Sequence, residues 1–241
     1  MTLSPVELSL ALTAVAAGAA IQGSIGFGFS FVAAPVITLF VPRALPATLL
    51  FLALPMTGFM ALRERHAIDL GGFAWITAGR VLGTAAGAAL LVAVPADWLS
   101  VLFGSMIAAG AGVSLLGPSF EARARTRFVA GAASGVMGTA AAVGGPPLAL
   151  VEQASPGPVL RSTLAVSFLV GLAMSLGALW VAGEVRGLHL RLAVQLLPAL
   201  LGGLLGSRLL VRVLDERWLR PAVLAFAAAA GSAAVVKGLV G

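Results

Sequence analysis

The chain has 241 residues, of which 60% are apolar and only 10% charged, with a mean hydropathy of +1.06. Ordinary globular proteins carry about 45–50% apolar and about 25% charged residues, so this chain has too little polar surface to clothe a particle in water. A soluble enzyme, a DNA-binding protein and a disordered tail are excluded, which leaves an integral membrane protein. The net charge is +6, and 14 of the 15 basic residues are Arg. They sit mostly in short gaps between apolar runs, the pattern of cytoplasmic loops facing anionic headgroups rather than of a nucleic-acid surface. Without cysteine there is neither a disulfide framework nor a thiolate metal site.

In chain order, the N-terminus lacks the basic region of a cleaved signal peptide, so the first apolar run is expected to be retained. Between Glu7 and Arg43 lie 35 uncharged residues. As one helix they would reach about 52 Å, far beyond a hydrocarbon core of about 30 Å. The stretch Gly23-Ser24-Ile25-Gly26-Phe27-Gly28 is poor helix material. It predicts a helix over 6–22, an unwound turn at 23–28 and a second helix over 29–41. The blocks 44–62, 70–96 (uncharged except for Arg80) and 98–120 each read as one span. A basic connector, 119–127, follows. Block 128–151 carries Gly135-Val136-Met137-Gly138-Thr139 and then Gly144-Gly145-Pro146-Pro147, the same interruption compressed. Blocks 162–183, 192–207 and 221–236 complete the set.

The two interrupted segments point to an internal repeat. Gly23-Ser24-Ile25-Gly26 matches Gly135-Val136-Met137-Gly138 at an offset of 112, and Pro35 matches Pro147 at that offset. Asp97-Trp98-Leu99 matches Arg217-Trp218-Leu219 at 120. The expected fold is therefore all-α and polytopic, with two homologous helical repeats whose first segments are broken. The repeats cover 1–118 and 128–241. Counting each broken segment once gives eight spans; counting it twice gives ten and inverted repeats. Both counts leave the 121–127 loop in the cytoplasm, and loop charge favours the inverted arrangement.

No HExxH, Gly-Lys-Ser/Thr loop or thiol nucleophile is present, so neither an enzyme nor a cofactor is expected. His66 and His189 lie beside arginines at segment ends and read as interfacial. Unwound backbone survives in hydrocarbon only where protein or a wet cavity satisfies it, and helix N-termini at such breaks attract anions. The candidate substrate-binding residues are therefore Gln22, Gly23, Ser24, Gly26, Gly28 and Ser30 at the first break. At the second they are Gly135, Gly138, Thr139, Gly144 and Gly145, with Ser134 as a further donor. Arg80, the eleventh residue of its segment, is too far from either end to snorkel easily and needs a cavity, a carboxylate or a substrate anion. The alternative for the glycines is close helix packing, which is the reading preferred for Gly79–Gly87 and Gly202–Gly206.

The glycine-rich break with Ala34-Pro35, repeated mid-chain after a basic loop as Gly135-Val136-Met137-Gly138 with Gly144-Gly145-Pro146-Pro147, resembles the sulfite exporter TauE/SafE family of membrane permeases. The first half departs from that family's run of consecutive glycines, having Gly26-Phe27-Gly28-Phe29 instead. The resemblance implies a multi-pass protein of the cell inner membrane that carries sulfite, a sulfonate or a related small anion. With no ATP-binding motif, coupling to a proton or sodium gradient is expected. The partners are the small anionic substrate and the lipid bilayer, not nucleic acid; the oligomeric state stays open, a homodimer included. The competing reading is a non-transporting scaffold or accessory subunit.

Overall fold

The computed structural model describes residues 4–25, 28–117, 120–153, 155–210 and 216–240. Ten α-helices run through them in order: α1 (Pro5–Ile25), α2 (Phe29–Phe40), α3 (Ala47–Glu64), α4 (Leu70–Ala93), α5 (Leu99–Leu116), α6 (Ala124–Ala141), α7 (Gly145–Glu152), α8 (Gly157–Val181), α9 (Gly187–Leu210) and α10 (Glu216–Val240). Seven of them, α1, α3, α4, α5, α8, α9 and α10, are long and apolar enough to cross a membrane. The protein is an all-helical, polytopic membrane protein. Large apolar side chains such as Trp75, Leu82, Trp180 and Val181 stay exposed, as expected where the solvent is lipid.

Both interruptions exist, but neither begins where the glycines predict. Gly23 and Ser24 are helical, and α1 continues to Ile25. Gly135–Thr139 lie inside α6, which runs on to Ala141. The second break is Ala142–Gly144, with Ala142 in the left-handed region at φ 59°. At the first break Gly28 has φ 115°, a conformation that favours glycine. Glycine propensity was outweighed in both helices by tertiary packing, because bare backbone lets a neighbouring helix approach.

That packing is closest between α4 and α6. Cβ atoms added at Gly79 and Gly83 would overlap the carbonyls of Phe128 and Ala132, and one at Gly131 would overlap that of Ile76. At Gly135 a Cβ would fall 2.7 Å from the Thr84 nitrogen and 2.8 Å from the Arg80 carbonyl oxygen. A weaker version joins α1 to α9, where a Cβ at Gly203 would overlap the Ala16 carbonyl. The same pairs recur between the first five helices and the last five. α4 packs on α6 as α9 packs on α1, α4 meets α8 as α9 meets α3, and α5 meets α7 as α10 meets α2. The pairs α3–α8 and α5–α10 map onto themselves.

The packing role of Gly79–Gly87 holds, but Gly202 and Gly206 have nothing within 4 Å of an added Cβ. The expected outcome is therefore asymmetric. Gly83→Ala should lower stability by about 1–3 kcal/mol, because backbone rather than a yielding side chain is in the way. Gly206→Ala should be neutral or stabilise by up to about 1 kcal/mol through helix propensity. Thermal unfolding of the two variants in detergent compares them directly.

Candidate functional site

Arg80 is the eleventh residue of α4, about three turns from its start, and is only 4% exposed. Its Nη1 donates to Ser134 Oγ on α6 at 3.1 Å, and that hydroxyl donates to the Gly144 carbonyl at 2.5 Å. The guanidinium is thus tied to the break between α6 and α7. It has room there because two glycines face it. A Cβ at Gly138 would lie 3.1 Å from Nη2, and one at Gly171 on α8 would overlap Cζ. Nε donates to nothing among the described residues. No ion pair joins Arg80 to a carboxylate among those residues.

Neutral hydroxyls lie within one turn of its contacts on α4, α6 and α8. Thr84, one turn further along α4, and Ser167, one turn from Gly171 on α8, are buried and unpartnered. Thr139 Oγ1 and Ser175 Oγ lie 2.8 Å apart, fully buried. On α8 the residues Thr163, Ser167, Gly171 and Ser175 recur every fourth position, so they form one small, polar stripe along the helix. Thr84, Ser167, Gly171 and Ser175 were not anticipated from sequence. The signal was that four-residue spacing within an otherwise apolar segment.

The structure gathers Arg80, Ser134, Gly135, Gly138, Thr139 and Gly144 in this cluster. Gly145 opens α7 nearby, against Phe168. The other candidates lie at the first break, with different partners. Gln22 Oε1 accepts from the Phe29 N–H at 3.0 Å, and its Nε2 lies 3.9 Å from Met60 Sδ on α3. Ser24 Oγ donates to the Ala20 carbonyl at 2.7 Å and reaches the Ser207 carbonyl on α9 at 3.3 Å. Gly23 backs onto the Ser207 side chain. Ser30 is half-buried, and Gly26 lies outside the described residues.

Neither helix N-terminus offers the open set of donors expected from sequence. Gln22 already occupies the first N–H of α2, and Pro146 and Pro147 remove two N–H groups from the first turn of α7. The charge available to an anion at the second break comes from Arg80.

A second polar cluster closes one end of the same helices. Arg127 Nε and Nη2 donate to the two Glu152 oxygens at 2.7 and 3.2 Å, and Nη1 lies 2.8 Å from Asp69 Oδ2. Glu152 is fully buried and also accepts from Ser155 Oγ at 2.9 Å. Asp69 caps α4 by accepting from the Gly72 N–H at 3.0 Å, and its own N–H donates to Thr163 Oγ1 at 3.0 Å. Glu152 is therefore half of a buried ion pair. His189, read as interfacial, is 4% exposed, with Nδ1 accepting from the Arg186 N–H and Nε2 against the Arg43 carbonyl.

The Gly72 N–H holds the Asp69 carboxyl below its ordinary range, with Arg127 adding to the effect and partial burial opposing it. A group whose folded pKa is depressed contributes stability above its unfolded pKa and loses it as pH falls through the folded value. Thermal stability should therefore decline on acidification below the usual Asp range. Asp69→Asn, which keeps the cap, should show a shallower decline.

The site is thus a buried cation bonded to a hydroxyl, inside a bundle of membrane-length helices. The family model described as "Sulfite exporter TauE/SafE" matches residues 10–234. The chain belongs to the sulfite exporter TauE/SafE family, a family of membrane transporters. No curated protein and no solved structure matches it.

Proposed function

We propose that the protein is a secondary transporter of the cell inner membrane for a small anion such as sulfite, a sulfonate or a related oxyanion. The observation that carries this reading is Arg80. A cation 4% exposed, with no carboxylate partner among the described residues, is costly in a membrane interior unless an anion joins it. A purely packing role accounts for Gly79, Gly83, Gly131 and Gly135, whose missing side chains admit a neighbouring backbone. It gives no reason for a buried guanidinium. The site residues in this reading are Arg80, Ser134, Thr139 and the Gly144 turn, with Gly138 and Gly171 providing room. Gln22, Gly23, Ser24, Gly28, Ser30 and Gly145 position the two breaks.

Access follows from the packing. α8 lies over the guanidinium through Gly171, and the turn into α7 is tied to it through Ser134, which donates to the Gly144 carbonyl, so an anion enters when one of these helices moves aside. The recurrence of α4–α6 as α9–α1 supports two repeats, and an exchange between repeats is the expected form of alternating access. Coupling to a proton or sodium gradient completes the reading. The purified chain in proteoliposomes should carry labelled sulfite or a sulfonate down an imposed gradient. Vesicles whose flux equals that of protein-free controls for every anion tried would rule the transport reading out.

A further inference from the structure

We infer that the Arg80 site takes a singly charged oxyanion and rejects a doubly charged one. The inference rests on the transport reading and adds the charge of the species carried. Among the described residues the buried ionisable side chains are Arg80, Glu152 and His189. Glu152 is already neutralised by Arg127. Both ring nitrogens of His189 are engaged at the start of α9. Among the described residues, the compartment beside the α6–α7 break therefore holds one buried positive charge. Leu200, 120 residues further on in α9 and fully buried, supplies no second one.

The polar side chains within one turn of its contacts are neutral. Ser134 is bonded to it, Thr84 lies one turn along α4, Thr139 follows Gly138, and Ser167 and Ser175 lie one turn to either side of Gly171. Nη1 is committed to Ser134, which leaves the Nε–Nη2 edge, a fork that fits two oxygens of one oxyanion. Thr84 and Ser167, buried with unpartnered hydroxyls, can donate to the same ligand without adding charge. One guanidinium cancels one negative charge. A dianion would keep a full charge uncompensated where hydroxyl dipoles are the only further support, and the desolvation cost of that charge is not recovered.

The prediction concerns the wild-type protein, so no variant has to fold. In proteoliposomes at fixed pH, methanesulfonate should compete with labelled substrate, whereas sulfate should compete at least about 100-fold more weakly. Sulfite exchanges between its singly and doubly charged forms near neutrality, so its apparent affinity should fall as pH rises from about 6 to about 8, while that of methanesulfonate stays level. The nearest titratable groups, Asp69, Arg127 and Glu152, are paired at the helix ends; Arg161 at the start of α8 pairs with Glu64. A change in these groups would move both anions together. Sulfate competing as well as methanesulfonate, or sulfite affinity rising with pH, would overturn the charge assignment while leaving transport intact. No competition by any anion, with no flux, would overturn the transport reading and this inference with it.

Discussion

Arg80→Leu is expected to abolish anion flux while leaving a folded, inserted protein. The Leu side chain removes a buried charge that has no carboxylate partner among the described residues, so the fold loses one hydrogen bond to Ser134 and a desolvation cost at once. Removing an uncompensated buried charge also removes its desolvation cost, which offsets packing lost to the shorter side chain. Stability and activity should therefore move apart. Arg80→Lys keeps the charge but loses the fork of donors, so it should retain part of the flux with a raised half-saturation concentration. Gly171→Ala gives a third point, because the atoms nearest its added Cβ all belong to the Arg80 guanidinium, which it must displace. Melting temperature in detergent, measured beside uptake, separates the outcomes. Wild-type flux in Arg80→Leu would remove the residue from the transport mechanism.

The opposite behaviour is expected at Glu152. Glu152→Ala leaves Arg127, whose side chain is 12% exposed, facing Asp69 alone and deprives it of two charge-assisted hydrogen bonds. Breaking a buried pair from one side costs about 3–5 kcal/mol, enough to cut accumulation of the protein severely. Glu152→Gln should be milder, since it keeps an acceptor for Arg127. Should Glu152→Ala accumulate normally and melt with the wild type, the ion pair has no structural weight. The contrast with Arg80 is physical: Glu152 has a charged partner that suffers when it goes, and Arg80 has none among the described residues.

Much of this arrangement was legible in the sequence, and the exceptions share a cause. Apolar block lengths marked the spanning helices, and the 35-residue run between Glu7 and Arg43 required an interruption. Arg80 stood out as a lone charge in an apolar segment. The position of each break was misread because glycine was taken as a local signal. Gly135 is helical since its bareness serves the α4 backbone, not its own chain. The pairing of Arg127 with Asp69 and Glu152 joins residues 58 and 25 positions apart in the chain, and no local pattern encodes it. Ser167 and Thr84 look unremarkable in a list of small residues. Their meaning comes from lying one turn from Arg80 on α4 and one turn from Gly171 on α8, the glycine that meets its guanidinium.

The interleaved packing also constrains how the chain can be made. α1 finds its glycine-lined neighbour, Gly203 on α9, only after about three-quarters of the chain has been synthesised. α4 waits for a much shorter time, because α6 begins at Ala124. During translation the first helix must therefore reside in the bilayer with its inner face turned to lipid, Val15 and Ala19 included, both of them completely covered in the finished molecule. Chains terminated before α9 would expose that face permanently. Such truncated products should be recognisable to membrane proteases, and the last quarter of the chain acts as the step that licenses the first helix to stay.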